Sequence, residues 1–281
     1  MKIFPEIVYF RITSKCNNNC KYCYGPQKNL KELNFLRLQD LFHLFYKKGV
    51  KAVVLCGGEP LLRNDFEDII KELKKYNLKI FLDTAGDLFF KYQDIIVKKI
   101  DVLGLPIDFP NKSYRNQDNF NNVFKILKFF QEKYKRPIIR IGTVLTKDNI
   151  NVIEKIGELI KNYPVDIWKI YEFIPIENTN SIKNKSFLEI SPERFNETTQ
   201  TVKKKFLKYF KIVISRRKDR TDAHFLINPN GTVFISTDDF NVCKEINIGD
   251  VFDENIARKW RGLISKKNYL NNAKATFDYK F

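Results

Sequence analysis

The sequence has few cysteines, few histidines and no long apolar segment. Its 281 residues include 5 Cys, 2 His and 1 Met. No stretch approaches the roughly 18 unbroken apolar residues of a membrane helix, so we expect no membrane partner. Pro5, Glu6 and Arg11 interrupt the start of the chain where a secretory signal would be apolar, and we therefore expect a cytoplasmic location.

Acidic residues are outnumbered by basic ones. The chain has 33 Asp and Glu against 50 Lys and Arg, a formal net charge of +17 at pH 7. Hydrophobic residues make up 43%, enough to bury a core, which excludes disorder as the main character of the chain. The basic balance favours anionic partners such as nucleotides, nucleic acid or acidic peptides, without choosing among them.

Strand-like and helix-like segments alternate through the first part of the chain. The predicted strands are residues 6–13, 51–55, 78–83, 101–106, 137–144 and 166–174. Helical periodicity lies between all neighbouring strands, first at Phe35–Lys48 after a long polar loop. Parallel strands need such crossovers, so the pattern predicts a parallel sheet. Six units are too few for an eightfold barrel. We therefore predict an α/β fold, a partial (β/α)6 TIM-like barrel over residues 1–175.

Residues 176–281 are predicted to form a C-terminal α+β extension that closes the barrel mouth. Residues 176–190 are polar and predict a lid loop. Ser191 and Pro192 are typical of a helix start. Pro229 and Asn230 separate two short strand-like segments and predict a hairpin, and the tail beyond residue 250 is basic.

Three cysteines lie close together in the loop after the first predicted strand. Cys16, Cys20 and Cys23 have the spacing C-x3-C-x2-C, whereas Cys56 and Cys243 are isolated. Three thiolates can hold three irons of a four-iron cubane and leave the fourth iron open to a small molecule. This clustering does not indicate a disulfide framework.

Structural zinc is the alternative reading of the three cysteines. Zinc needs four ligands in closed tetrahedral geometry. The nearest spare ligands in the sequence are His43 and Cys56, and neither stands at a finger-like spacing.

A glycine-rich turn follows the second predicted strand. It consists of Gly57, Gly58, Glu59 and Pro60. Glycines let the backbone approach a ligand closely, and a carboxylate can accept hydrogen bonds from an ammonium group. Ligands bind at the carboxyl ends of strands in such folds. The alternative is an ordinary strand-to-helix turn.

The cysteine spacing, the aromatic Tyr22 before the third cysteine and the GGEP turn together resemble the radical SAM superfamily. The resemblance implies a [4Fe–4S] cluster on Cys16, Cys20 and Cys23, with S-adenosylmethionine (SAM) on the open iron. It implies that Gly57–Pro60 contacts the methionine amino group. It also implies reductive cleavage of SAM to a 5′-deoxyadenosyl radical, with an electron from an external donor such as flavodoxin or ferredoxin.

Other strand ends supply further candidates for SAM contacts. Thr84 closes the third predicted strand, Asp108 follows the fourth, and Arg115 lies in the next loop. A hydroxyl and a carboxylate there suit the SAM carboxylate and ribose hydroxyls, and Arg115 suits the SAM carboxylate. Ordinary loop capping is the alternative.

Several later segments resemble viperin and its prokaryotic relatives, which dehydrate nucleoside triphosphates to 3′-deoxy-3′,4′-didehydro products. These segments are residues 115–117, 139–144, 149–151 and 168–171. The resemblance implies triphosphate contacts at Lys28, Arg140 and Lys169. The chain departs from the family pattern at Tyr24–Pro26, at Ile167 and at His224, and its tail does not match.

Two more residues are candidates for substrate chemistry. His224 is a candidate proton donor near neutral pH, with a structural strand histidine as the alternative. Tyr171 is a candidate to line the adenine. For Arg140 and Lys169 the alternative is that both side chains face solvent.

The sequence therefore predicts a radical SAM enzyme acting on an anionic substrate, preferably a nucleotide. The second hypothesis is an enzyme that modifies a peptide or protein at carbon. Many such members carry auxiliary clusters, for which Cys243 alone cannot supply the ligands. The third hypothesis is a binding module with a structural cluster, and the GGEP turn argues against it.

Overall fold

The computed structural model describes residues 4–25, 29–112, 114–115, 119–239 and 241–277. Lys28, Asn116 and Gln117, which the sequence analysis singled out, lie outside these ranges. The strands of the described part are β1 Ile7–Thr13, β2 Ala52–Gly57, β3 Lys79–Asp83, β4 Val102–Pro106, β5 Ile138–Leu145, β6 Ile167–Glu172, β7 Lys211–Ser215, β8 Leu226–Ile227, β9 Thr232–Asp239 and β10 Val242–Asp250.

Helices follow most of the strands. They are α1 Phe35–Lys48, α2 Phe66–Lys75, α3 Gln93–Lys99, α4 Asn119–Gln131, α5 Ile153–Ile160, α6 Asn180–Lys183, α7 Lys185–Leu188, α8 Pro192–Phe206, α9 Arg217–Arg220, α10 Ile256–Leu263 and α11 Lys266–Phe277. Short 3-10 turns are Pro60–Leu62, Phe89–Lys91 and Ile150–Val152. None of the described helices is long and apolar enough to cross a membrane.

The strands form one sheet in the order β10-β9-β8-β1-β2-β3-β4-β5-β6-β7. Neighbours from β1 to β7 pair in parallel, which confirms the predicted partial barrel. The structure adds β7 as a seventh parallel strand. The sequence analysis missed β7. This short strand begins only five residues after α8 ends, so its sequence pattern merges with that of the helix.

Strands from the C-terminal part join both ends of this sheet. β7 pairs with β6, and β8 pairs in parallel with β1. β8 and β9 form the hairpin predicted around Pro229, and β10 continues it as an antiparallel strand. The division of the chain at residue 175 stays a prediction, although strands from both parts share hydrogen bonds in one sheet.

Alternate residues of each strand point into the barrel, as the period of a strand requires. At the amino ends of the strands the interior is apolar and contains Ile7, Phe81 and Ile167. Ala273 and Tyr269 of α11 pack against this group, and the Tyr269 hydroxyl accepts from the Glu6 N–H at 2.8 Å. The last helix therefore closes the amino end of the barrel, opposite the cysteine loop.

Candidate active site

The three clustered cysteines lie on the loop that leaves β1 at its carboxyl end. Cys16 is exposed, Cys20 is buried and Cys23 is partly buried. The Cys23 N–H donates to the Cys20 carbonyl at 3.1 Å, which forms a tight turn. Backbone N–H groups of Asn18 and Gly25 lie 3.4 and 3.3 Å from the sulfurs of Cys16 and Cys23. Such donors stabilise the thiolate form that binds iron.

The donor set of this loop fits an iron–sulfur cluster. Burial raises the pKa of Cys20 to about 11, and Cys16 and Cys23 add like charge, so the thiolates need bound cations nearby. Within the described ranges no three His, Cys, Asp or Glu side chains surround one point suited to a metal ion. A single zinc ion would hold its sulfurs at about 2.3 Å. The thiolates of a cubane bind separate irons and stand further apart.

The segment predicted as a lid lies on the cysteine loop. It contains α6 and α7, and its polar side chains contact the loop backbone. The Ser181 N–H donates to the Cys23 carbonyl at 3.1 Å. The amide of Asn180 donates to the Cys20 carbonyl at 3.3 Å, and that of Asn184 to the Lys21 carbonyl at 3.1 Å. The abundance of Asn in this segment thus has a structural purpose, because amides satisfy loop carbonyls.

Two glycines bring the end of β2 against the cysteine loop. Gly57 has φ 126°, and a Cβ there would lie 2.5 Å from the Thr13 carbonyl oxygen. A Cβ on Gly58 would lie 2.1 Å from the Lys15 carbonyl oxygen. The Gly58 N–H instead donates to Thr13 at 2.9 Å. The two glycines therefore position the backbone that leads into Cys16.

The carboxylate of Glu59 is bound by the protein itself. It accepts hydrogen bonds from the Thr84 hydroxyl at 2.6 Å, the Ala85 N–H at 2.7 Å and the Leu61 N–H at 3.1 Å, and it is 2% exposed. The predicted contact of the Glu59 carboxylate with an ammonium group stays a prediction. Thr84 is likewise committed, because its hydroxyl also accepts from the Gly86 N–H. Pro60 begins the 3-10 turn that follows.

Asp108 is a second buried carboxylate with protein partners. It accepts from the Tyr22 hydroxyl at 2.6 Å, Arg115 at 2.8 Å and the Val144 N–H at 3.0 Å. The Arg115 guanidinium lies 5.6 Å from the centre of the Tyr22 ring. These contacts give Asp108 a positioning role, and its ribose contact stays a prediction. Asp108 fixes Tyr22 and Arg115 beside the cysteine loop.

An ion pair lies inside the barrel, across β4. A Cβ on Gly104 would lie 2.0 Å from the Asp83 carboxylate and 2.7 Å from the Arg140 guanidinium. The missing side chain of β4 thus lets Asp83 of β3 pair with Arg140 of β5. Arg140 is 5% exposed, so it does not face solvent. A glycine within a strand was the sequence signal for this close approach.

Two further cations flank Tyr171 inside the barrel. The Lys169 ammonium lies 4.9 Å from the centre of the Tyr171 ring, and the Arg220 guanidinium lies 5.4 Å from it. Desolvation, together with the charge of Arg140, lowers the pKa of Lys169 to about 7, against the opposing effect of Asp83. Tyr171 therefore stands between cations. Sequence reasoning missed Arg220, which α9 contributes after the unpredicted β7.

His224 lies toward the closed end of the barrel. The centre of its ring lies 4.5 Å from the centre of the Tyr9 ring. Burial and the nearby charges of Lys169 and Arg220 lower the pKa of His224 to about 3. The imidazole is therefore neutral at pH 7, which differs from the predicted proton donor titrating near neutrality.

One interior ion pair was not anticipated from the sequence. Arg11 of β1 makes a bidentate contact with Glu245 of β10, at 2.5 and 2.9 Å, and also donates to the Tyr24 carbonyl at 3.3 Å. This contact ties the first strand of the barrel to the last strand of the sheet. In the sequence Arg11 was only a break in an apolar segment.

The chain is similar to known proteins in sequence and in fold. A probable GTP 3′,8-cyclase of Methanococcus aeolicus is 26% identical over 70% of this chain and 69% of its own length. The GTP 3′,8-cyclase of Aquifex aeolicus is 25% identical over 79% and 70%. The SAM-bound structure of SuiB from Streptococcus suis has a TM-score of 0.71 at 13% identity, covering 99% of this chain and 68% of SuiB.

A second solved neighbour also contains SAM. The structure of anSMEcpe with bound SAM and the Cp18Cys peptide has a TM-score of 0.71 at 18% identity, covering 94% of this chain and 84% of that one. The family model of the radical SAM superfamily matches residues 10–160, more than half of the chain. This match spans the cysteine loop, the GGEP turn and the first five strands. The chain therefore belongs to the radical SAM superfamily, an enzyme family whose cofactors are a [4Fe–4S] cluster and SAM.

Proposed function

We propose that the enzyme acts on the ribose of a nucleoside triphosphate whose phosphates bind inside the barrel. The observation that carries this proposal is the surplus of positive charge around Tyr171. Lys169, Arg140 and Arg220 converge there. The Asp83 carboxylate pairs with Arg140 and opposes the lowering of the Lys169 pKa. Cations on rigid strands are suited to polyphosphate recognition.

The electrostatics of Lys169 support an anionic ligand. Its pKa is lowered because burial and Arg140 disfavour the charged form. A bound phosphate would restore the charged ammonium and gain a charge-assisted hydrogen bond. The barrel interior is thus arranged to become more favourable when a multiply charged anion enters.

The residues of the cysteine loop and the strand ends would hold the cofactors. Cys16, Cys20 and Cys23 would bind the cluster, and Arg115, fixed by Asp108, would meet the SAM carboxylate. The backbone of Gly57 and Gly58 would lie against the methionine amino group. When bound, the two cofactors supply a 5′-deoxyadenosyl radical after one electron has entered the cluster.

We propose a viperin-like dehydration as the reaction. A hydrogen atom leaves a ribose carbon, the neighbouring hydroxyl leaves as water with one proton, and one electron from the external donor completes the double bond. The GTP 3′,8-cyclases are named for a nucleotide substrate, which supports the substrate class. Among the residues of the chain, Lys169 and Arg220 hold the phosphates and Tyr171 lies between them. Lys28 is proposed as a further phosphate contact from the sequence alone.

Peptide modification is the second candidate. SuiB has been solved with the precursor peptide SuiA, and anSMEcpe with the Cp18Cys peptide. These neighbours share the fold with this chain, so a peptide substrate is the competing outcome of the test below. The electron donor, the cytoplasmic location and the boundary at residue 175 remain proposals from the sequence.

Anaerobic SAM cleavage tests the proposal. The cluster-loaded protein is given dithionite and SAM, and 5′-deoxyadenosine is followed with each nucleoside triphosphate. We expect strong stimulation by one nucleotide. In the Lys169→Met variant we expect the half-saturating nucleotide concentration to rise about tenfold, the loss of one charge-assisted contact.

The matched control is Lys155→Met on the exposed face of α5, which should respond to the nucleotide as the parent does. A parent enzyme that no nucleotide stimulates would overturn the nucleotide proposal. Stimulation by a peptide instead would establish the second candidate.

A further inference from the structure

A second site lies beside the barrel, between the carboxyl ends of β5 and β6 and the C-terminal part of the chain. It is a cleft with a volume of about 840 Å³. One wall is built from residues 147–151 and 172–173. The other is built from the end of α7, the start of α8, and α9. The cleft is separate from the barrel interior, because its described lining includes neither Lys169 nor Arg140.

The cleft carries more positive than negative charge. Its lining contains six basic and three acidic side chains, namely Lys147, Lys185, Arg194, Arg216, Arg217 and Lys218 against Glu172, Glu189 and Asp238. The acidic side chains already meet Arg217. Its guanidinium lies 2.5 Å from Asp238 and 3.5 Å from Glu189, and its N–H donates to Glu172 at 2.7 Å.

The remaining cations define the binding character of the cleft. Among the described residues, Lys147, Arg194, Arg216 and Lys218 form no salt bridge. Lys147 donates to the Ser186 carbonyl, and Arg216 donates to the amide oxygen of Asn196. Arg194 and Lys218 are exposed at the edge. No carboxylate in the described part of the chain therefore neutralises the charge of these four side chains.

The apolar part of the lining distinguishes among anionic ligands. Pro192 is exposed, Ile150 and Ile190 are each 9% exposed and add a small aliphatic surface, and Phe173 is 3% exposed. Single-stranded nucleic acid needs exposed aromatic rings for base stacking, and the described lining presents none. A peptide in which carboxylate and aliphatic side chains alternate matches the lining of the cleft better than nucleic acid does. The volume is that of a typical ligand cleft and accommodates a short segment.

We propose that this cleft binds an extended acidic peptide segment of a partner protein. The carboxylates of the segment would meet Arg194, Arg216 and Lys218, and its aliphatic side chains would meet Ile150 and Ile190. The inference goes beyond the proposed function, because it holds whichever substrate enters the barrel.

The cleft shares a wall with the cofactor site. Phe173 lines the cleft and also packs with Cys20, Tyr22 and Leu188. A segment bound in the cleft is therefore separated from the cysteine loop by one layer of side chains. The bound partner would therefore lie next to the residues that would hold the cluster.

A direct binding measurement tests the inference. A short fluorescein-labelled peptide in which glutamate alternates with leucine is titrated with the cluster-loaded protein under argon, and anisotropy gives Kd. We expect saturable binding that weakens with salt. In the double variant Arg194→Glu/Lys218→Glu we expect Kd to rise about tenfold, since several exposed ion pairs are lost and repulsion replaces them.

The matched control makes the same charge change outside the cleft. Lys203→Glu/Lys204→Glu lies on the exposed face of α8 and should leave Kd within about twofold, because salt at physiological concentration screens charges that lie outside the cleft. Equal weakening in both double variants would overturn the proposal in favour of nonspecific attraction. So would the absence of saturable binding to the parent protein.

Two competition experiments separate the remaining readings. Inorganic tripolyphosphate should not displace the labelled peptide at concentrations that saturate the barrel, and displacement would assign the peptide to the barrel instead. A single-stranded thymidine oligonucleotide should compete only through ionic strength. If it bound more tightly than the peptide and with the same sensitivity to Arg194→Glu/Lys218→Glu, the cleft would be a nucleic-acid site.

Discussion

The charged groups at the rim of the barrel and those in its interior differ in how far other groups of the chain compensate them. At the rim, Glu59 and Asp108 are each 2% exposed, and each accepts three hydrogen bonds from neighbouring groups of the chain. In the interior, Arg140, Lys169 and Arg220 gather near Asp83. The rim carboxylates are bound by the chain itself, whereas the interior around Tyr171 holds more cations than carboxylates until an anion enters.

This difference indicates how the two regions work. A satisfied carboxylate is a fixed support, and Glu59 and Asp108 hold the loops that would meet SAM. A group of cations in a low-dielectric interior raises the free energy of the folded chain and favours anion binding. Substitutions at the rim should therefore lower stability, and removal of an interior cation should raise it.

The largest expected effect is at Glu59. In Glu59→Ala the Thr84 hydroxyl and the N–H groups of Leu61 and Ala85 lose their acceptor in a buried site. We expect the free energy of unfolding to fall by about 3 kcal/mol, measured by anaerobic urea denaturation.

Glu67→Ala is the control for this change. Glu67 pairs with Lys71 at 3.4 Å on an exposed face of α2, and its loss should cost less than about 0.5 kcal/mol. Equal costs at Glu59 and Glu67 would show that the rim carboxylate is not a support.

A smaller effect is expected at Gly58. In Gly58→Ala the new methyl would lie 2.1 Å from the Lys15 carbonyl oxygen, so the cysteine loop must move. We expect the free energy of unfolding to fall by about 2 kcal/mol. Iron bound per chain after reconstitution should fall as well, because Cys16 follows Lys15 directly.

Gly262→Ala is the matched glycine substitution. Nothing lies within 4 Å of a Cβ at that position in α10. Alanine there should stabilise the chain by about 0.5 to 1 kcal/mol and leave the iron content unchanged. If Gly58→Ala also left the iron content unchanged, the glycine would not position the loop.

The sequence predicted the rim better than the interior, for a physical reason. The cysteine loop and the GGEP turn are contiguous, so spacing alone indicates them. Six parallel strands followed from hydrophobic periodicity, and α1 was predicted with both observed ends. The pattern did not show that Glu59 and Thr84 are bound by neighbouring groups of the chain, because those neighbours come from other strand ends.

The interior depends on residues far apart in the sequence. Arg140 meets Asp83 only because Gly104 leaves space between them. Arg220 reaches Tyr171 from a helix that follows an unpredicted strand. The pKa of His224 is likewise lowered by burial and by the charges of Lys169 and Arg220, which no local pattern indicates. Such contacts require the register of the sheet.

The smallest effect, and the one of opposite sign, is expected at Lys169. Its pKa is lowered from 10.5 to about 7 in the folded chain, so the unfolded chain binds the additional proton between these values. The contribution of Lys169 to the free energy of unfolding therefore becomes more favourable as pH rises from about 7 to 10. At pH 7, Lys169→Met removes the buried cation and should raise the free energy of unfolding by about 1 kcal/mol.

The measurement is anaerobic urea denaturation of the parent and Lys169→Met at several pH values between 7 and 10. Subtracting the two curves removes the titration of other groups, and the difference should shrink as pH rises and the parent lysine loses its proton. Lys155→Met, on the exposed face of α5, should give no pH-dependent difference. A destabilised Lys169→Met, or a constant difference, would mean that the interior is balanced in charge like the rim, and the argument for a bound anion would lose its electrostatic basis.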